Sequence, residues 1–277
     1  MKRFIALAMA ALMGVFAFTG CNQSGNGENN SDESWTKVEK AGKLVLGLDD
    51  SFPPMGYRDE KTGEIVGFDI DLAKEVCKRL NIELVTQPID WNSKEFELSS
   101  GNIDCIWNGF TYTEERNEQM NLTAPYMKNT QVIMVSEKSN FKSRADLAGK
   151  VLAAQTGSSG ENALNDSGDF VKSVGSIVTQ SSYLNLLLEL ENGTVDAVVL
   201  DEKVATNYMK KHEGKYRLIQ ANGKDDYLTE EEYVIGFRKN DIALTDKVVE
   251  TLKAMAADGT MAKISTEWFG EDVTTIK

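Results

Sequence analysis

Arg116 closes the run Thr111-Tyr112-Thr113-Glu114-Glu115-Arg116, just past an apolar segment that ends at Gly109. A guanidinium there presents a planar fork that can grip a carboxylate through two parallel hydrogen bonds. Gly157-Ser158-Ser159 follows the apolar run Val151-Leu152-Ala153-Ala154 and precedes a helical stretch. Backbone N–H groups and hydroxyls converge on an anion at such a junction. Asp201 ends the run Val195–Leu200, where it is either a helix N-cap or an acceptor for an ammonium. Each feature alone has a plain structural reading as a solvated arginine, a helix cap or an N-cap. Together they suit one zwitterion, with its anion between two sets of donors and its cation at a carboxylate.

The elements that would carry these groups alternate between strand and helix. Lys43–Leu48, Glu83–Gln87 and Asp104–Gly109 read as strands, the last overlapping the run Ile103–Trp107; Lys94–Ser100 reads as a short helix. Asp69 is placed to N-cap a helix running to Leu80, with Leu72, Ala73, Val76, Cys77 and Leu80 along one face. The pattern then begins again: strands at Thr130–Val135, Val151–Ala154, Val195–Leu200 and Tyr233–Phe237, and helices at Arg144–Leu147, from Glu161, at Tyr183–Asn192 and from Asp246. Two βα sets in tandem predict an α/β protein of two lobes. Ligands of open α/β sheets sit at the carboxyl ends of strands, and Asp49, Thr111, Ser158, Ser159 and Asp201 all fall there, from both halves of the chain.

Composition narrows the function. The 277 residues include 43 acidic and 30 basic side chains, a formal net charge of −13, with 41% hydrophobic residues. Such a chain buries a core, and its acidity argues against a nucleic-acid partner, since that affinity comes from neutralising phosphates. Three cysteines and one histidine argue against a His/Cys metal site or a disulfide scaffold; Cys77 and Cys105 read as small buried apolar residues with free thiols. Lys2 and Arg3 precede an uncharged run from Phe4 to Phe18. That run makes about 22 Å of helix, short of the ~30 Å hydrocarbon core, and fits a secretory signal. Phe18-Thr19-Gly20-Cys21 resembles a bacterial lipoprotein signal, which implies lipidation of Cys21 after removal of residues 1–20. Losing two positive charges takes the net charge from −13 to −15. Residues 21–34 then read as a flexible tether, since Asn22–Ser34 has no apolar residue.

Gly67-Phe68-Asp69-Ile70-Asp71-Leu72-Ala73 resembles the signature of bacterial extracellular solute-binding protein family 3, the polar amino-acid receptors of ABC importers. Other blocks fall in the family's order: Leu48–Pro54, Gly109–Arg116, Ala124-Pro125-Tyr126, Asp146–Val151, Gln155–Ser159 and Asp196–Asp201. The resemblance implies a two-lobed periplasmic-binding-protein fold of type II, its lobes joined by two hinge strands near Lys128–Val132 and Glu232–Ile235. Lobe 1 would be 35–129 with 234–277, and lobe 2 130–233. It implies that Arg116 clamps the ligand α-carboxylate with help from Thr111, the Gly109 backbone, Ser158 and Ser159. Asp201 would take the α-ammonium, Phe52 and Trp91 would sandwich the side chain, and Asp49 would reach its distal end. Trp107-Asn108 replaces the small residues common in the family, so Asn108 joins the candidate side-chain pocket.

The expected function is capture of a free L-amino acid, polar neutral or basic, by hinge closure. The partners are that amino acid and the ABC permease subunits; the protein is a monomer, lipid-anchored outside the bacterial cell membrane, with no cofactor, metal or nucleic acid. Two rivals share the fold: a small-carboxylate dehydratase of the cyclohexadienyl type, and a ligand-binding sensor or adhesin subunit. The enzyme would need a general acid or base over the reacting carbon. Glu95, Glu232 and His212 are the candidates, all in stretches that read as solvated.

Overall fold

Two long strands, Met127–Ser136 and Tyr227–Arg238, run antiparallel through the middle of one curled sheet, with Tyr233 opposite Met127 and Glu231 opposite Asn129. The structure is a computed structural model and describes residues 32–221 and 223–276. On one side of the central pair lie Cys105–Thr111, Lys43–Leu48 and Glu83–Pro88, parallel to one another. On the other lie Ala197–Asp201, Val151–Gln155 and Ser176–Gln180, also parallel. Each long strand serves both sides. Met127–Ser136 pairs with Glu231–Tyr233 at its start and with Ala197–Asp201 further on, while Tyr227–Arg238 continues onto Cys105–Thr111. The chain therefore passes twice between the halves.

Burial along these strands follows from that route. Residues 127–131 alternate between buried and more exposed positions, the mark of a ribbon covered on one face, whereas Val132–Val135 are all buried. Helices cover the outer faces of each half. Phe68–Arg79 packs Phe68, Ile70, Leu72, Ala73, Val76 and Cys77 inward, and Tyr183–Asn192 does the same with Leu186, Leu187 and Leu190.

Three sequence expectations are corrected in detail. Asp69 is not the N-cap of its helix; that position belongs to Gly67, at φ 143°, where a Cβ would stand 2.2 Å from the Met55 carbonyl oxygen. The Asp69 carboxylate turns inward and accepts from the Gly109 N–H (2.7 Å) and the Tyr126 hydroxyl (2.9 Å). Tethered chain does not extend to Ser34: Ser34 is buried, begins the helix Ser34–Ala41 and accepts from Leu244 N at 3.0 Å, while Asp32 accepts from Ser34 N and Ala243 N. Side chains that bond backbone across the fold hold this end down, a pull that the polar composition alone does not reveal. The helix placed from Glu161 begins two residues earlier, at Ser159, because Ser158 caps it. The readings for residues 1–20, for Cys21 and for the tether before Asp32 lie outside the described residues.

Cys77 and Cys105 are free and buried, and burial pushes the Cys77 thiol up to about 12. Among the described residues no helix is long and apolar enough to cross a membrane, and no group of His, Cys, Asp and Glu is placed to hold a metal.

Asp69 gives a first prediction. Full burial raises its carboxyl to about 7, against the hydrogen bonds from Gly109 and Tyr126 that favour the ionised form. A carboxyl raised in the folded state contributes stability at low pH that is lost as pH rises through about 7. Asp69→Ala would leave two donors buried without acceptors, a loss of about 2 kcal/mol. Chemical denaturation should show that loss, and it should be larger at pH 5 than at pH 8; equal stability of the two proteins at pH 5 would contradict this account.

Candidate ligand-binding site

The two sets of parallel strands aim their carboxyl ends at the central pair, and the polar residues at those ends meet there. Leu48 leads into Asp49, Thr111 ends its strand, Gln155 leads into Gly157-Ser158-Ser159, and Asp201 ends its own. Between them is a narrow, tightly closed cavity. All ten residues expected to bind ligand line it: Asp49, Phe52, Trp91, Asn108, Gly109, Thr111, Arg116, Ser158, Ser159 and Asp201. Gln155 and Tyr183 complete the lining and were not foreseen as site residues. Gln155 lay inside the block Gln155–Ser159, and its position at the last residue of a strand was a usable signal.

Arg116 is held from three directions. The Thr113 hydroxyl caps the helix Glu114–Gln119 by accepting from Arg116 N at 3.1 Å. One guanidinium nitrogen donates to the Thr111 carbonyl at 2.6 Å, and the guanidinium lies 4.2 Å over the Phe110 ring. Only 7% of the residue is exposed, yet among the described residues it forms no ion pair. Desolvation lowers its pKa, countered by the charges of Glu95, Glu231, Glu115 and Asp201. A buried guanidinium with donors to spare is poised for an anion.

Asp201 sits at the N-cap position of the helix Glu202–Lys211 but makes no capping hydrogen bond. Its carboxylate instead accepts from Asn129 Nδ2 (2.6 Å), the Tyr233 hydroxyl (2.6 Å) and the Tyr183 hydroxyl (3.2 Å). Burial and then the nearby Glu231 charge raise its pKa, so the free site disfavours a bare carboxylate. Asp49, also buried, is raised by desolvation, while Ser51 N (2.8 Å), the Ser51 hydroxyl (2.7 Å) and Gln155 Nε2 (2.5 Å) donate to it. Asn108 Oδ1 accepts from Asp49 N at 3.0 Å, which fixes the amide beside the acid.

The Ser158 hydroxyl accepts from the N–H of Glu161 (3.1 Å) and keeps its own proton for another acceptor. Gly109 adopts φ +55°, and a Cβ there would stand 2.6 Å from the Phe52 ring, so glycine lets that ring lie against the strand. Phe52 packs at 5.3 Å from Tyr183, and Trp91 stands edge-on to Phe110 at 6.0 Å.

Several bonds cross the cleft between the halves. Gln155 reaches Asp49, the Thr111 and Ser159 hydroxyls are 3.1 Å apart, and Tyr208 donates to the Ser51 carbonyl at 3.3 Å. Lys94, 2% exposed, donates to the Trp91 carbonyl (3.1 Å) and across the cleft to the Gly157 carbonyl (2.9 Å). Its pKa falls to about 8 through burial and the Arg116 charge. Neither Glu95, Glu232 nor His212 lines the cavity. Glu95 pairs with Lys94, and His212 stacks on Tyr208.

Two α/β halves, joined by a pair of strands and closed over a charged cavity, define a type II periplasmic binding protein. The chain belongs to the bacterial extracellular solute-binding proteins, family 3, whose model matches residues 44–271. It is 28% identical to the L-cystine-binding protein TcyA of Bacillus subtilis (strain 168), over 99% of each chain. It is 32% identical to the ABC transporter arginine-binding protein 1 of Escherichia coli (strain K12), over 83% of this chain and 91% of that one. Among solved structures, an ABC uptake transporter substrate-binding protein from Streptococcus pneumoniae with bound histidine superposes with a TM-score of 0.82. That protein is 34% identical and the match covers 88% of this chain and 99% of the other.

Proposed function

We propose that the chain captures a free L-amino acid with a polar neutral or basic side chain and presents it to the permease of an ABC importer. The observation that carries this is a buried Arg116 and a buried Asp201 that line one cavity, neither of them in an ion pair among the described residues. Arg116 and the Ser158 hydroxyl take the α-carboxylate, with Thr111 and Ser159 beside them; the Gly109 N–H is given to Asp69, so its backbone offers that carboxylate no donor. Asp201 takes the α-ammonium. Phe52 and Trp91 flank the side chain, and Asp49 with Asn108 meets its far end. The relatives that bind arginine, histidine and cystine support an amino acid, and the acid at Asp49 supports a ligand that can donate to it.

Closure follows from the division into lobe 1 (35–129 with 234–277) and lobe 2 (130–233). Ligand bridges Arg116 in one to Ser158 and Asp201 in the other, and its preference for the closed form sets the equilibrium. Binding without turnover is the reading for this site, because the carboxylates and histidine put forward as general acid or base lie off the cavity. Residues 1–20 are the signal, Cys21 carries the lipid and the residues after it tether a monomer at the outer face of the cell membrane. A single acyl chain holds only marginally, so stable anchoring takes more than one.

A thermal-shift screen of residues 22–277 against the twenty L-amino acids and L-cystine tests the reading. Ligand at a hundred times its dissociation constant adds about 2.7 kcal/mol of stability, and at least one compound should raise the melting temperature accordingly. No shift from any of them, in a folded protein, would overturn the amino-acid assignment. Incubation with prephenate or arogenate should leave both unchanged; turnover would establish the dehydratase reading instead.

A further inference from the structure

Glu231 stands on the central strand Tyr227–Arg238, two residues before Tyr233, and nothing in its sequence surroundings distinguishes it from Glu230 and Glu232. Its neighbours differ from theirs. One oxygen, Oε2, accepts from four donors: the Thr111 hydroxyl (3.0 Å), the Ser159 hydroxyl (3.2 Å), Asn129 Nδ2 (3.1 Å) and Gln131 Nε2 (3.1 Å). Thr111 and Ser159 come from opposite sides of the cleft and both line the ligand cavity.

A carboxylate accepts and does not donate, and a hydroxyl carries one proton. Charge-assisted hydrogen bonds are about twice as strong as neutral ones, so Glu231 is the preferred acceptor for both hydroxyl protons. Ser159 also accepts from Gln131 Nε2 at 3.2 Å, which again leaves its proton for Glu231. The two amides show the same pull. Asn129 and Gln131 turn their nitrogens to Glu231, and Asn129 shares its nitrogen with Asp201, while Asn129 Oδ1 and Gln131 Oε1 are buried without a donor among the described residues. Four polar side chains are therefore oriented around one carboxylate, and toward the cavity the hydroxyls offer lone pairs.

We propose that Glu231 is a positioning residue that turns the Thr111 and Ser159 hydroxyls into acceptors, so that beside Asp201 the cavity selects a ligand with an α-ammonium over one without it. This rests on the amino-acid reading of the cavity. It also divides the work among the polar residues: Arg116 and Ser158 hold the carboxylate, and Thr111 and Ser159 serve the ammonium. The hinge strand thereby senses the ligand through Glu231, two residues from the Tyr233 that bonds Asp201.

Calorimetry at about pH 8, above the raised Asp201 value of about 7 so that Asp201 is ionised with or without the Glu231 charge, tests this on the wild-type chain and on Glu231→Gln. Each of the twenty L-amino acids and L-cystine that binds is compared with the same acid lacking its α-amino group. For L-arginine that counterpart is 5-guanidinopentanoate; weak binders are measured by competition. A carboxamide brings its own N–H groups and no charge, so the preference for the amino acid over its deamino counterpart should fall about tenfold. Damage to the hinge would weaken both ligands alike and leave the ratio unchanged, and an unchanged ratio overturns the proposal. Should Glu231→Gln not fold, Thr111→Val removes one oriented hydroxyl and should lower the same ratio; a ratio equal to wild type overturns the proposal there too. If no amino acid binds the wild-type chain, the underlying reading fails and takes this one with it.

Discussion

Arg116→Met should weaken amino-acid binding at least a hundredfold while leaving the ligand-free protein as stable as before or more so. The two halves of that expectation come from one fact, the burial of an unpaired guanidinium. In the complex, the ligand carboxylate would be a buried anion whose partner the substitution deletes, and breaking such a pair costs about 3–5 kcal/mol. In the free protein no anion pairs with Arg116 among the described residues, and its hydrogen bond is to the Thr111 carbonyl, which also belongs to the sheet. Removing the charge there relieves desolvation and leaves no orphaned carboxylate. Methionine keeps an apolar stem over Phe110, so little packing is lost. Calorimetry with whichever amino acid stabilises the wild type, and a melting curve without ligand, decide the matter. A folded variant with affinity within a few-fold of wild type would remove Arg116 from the carboxylate role. A large drop in ligand-free stability would show that the guanidinium works mainly as a structural group.

The strands were legible because half-buried and fully buried apolar runs leave period-two and continuous patterns, and the tandem βα order followed from their spacing. The candidate site was legible for a second reason: residues at strand carboxyl ends share one edge of a sheet whatever their separation in sequence, so Asp49, Thr111, Ser158 and Asp201 could be grouped before any contact was known. Glu231 could not be found that way. It lies among three consecutive glutamates in the middle of a long strand, and only the pairing of that strand with Met127–Ser136 turns one of the three toward Asn129 and Gln131. Asp69 was misassigned because an acid at a helix start is an N-cap in isolation. Its choice of Gly109 and Tyr126 is a tertiary contact across 40 and 57 residues, which no local pattern encodes. The tether misjudged at Ser34 is the same lesson in reverse, since polar residues order when backbone groups elsewhere need partners.

Asp201→Asn should cost amino-acid ligands about a hundredfold and carboxylic acids lacking the amino group little or nothing, and it should flatten the pH dependence of binding. In the free wild-type protein, burial and the Glu231 charge raise the Asp201 pKa, so the carboxyl keeps its proton above the ordinary carboxylate range. An ammonium binds the ionised form, and binding must therefore expel that proton. Affinity then rises with pH while the free carboxyl is still partly protonated, by at most tenfold per pH unit, and levels off once it is ionised. The stability of the free protein runs the other way: a carboxyl raised on folding contributes stability below about pH 4, its unfolded value, and loses it as pH climbs through the folded one. Ligand-free Asp201→Asn should accordingly gain on wild type as pH increases, while its ligand affinity stays level. The asparagine retains one oxygen for Tyr233 and Asn129, so the fold should persist. Binding enthalpies measured in two buffers of different ionisation heat give the proton count directly: proton release in wild type below neutral pH, and none in the variant. Release of equal size in both would place the titrating group elsewhere, and equal losses for amino acids and their deamino counterparts would detach Asp201 from the ammonium.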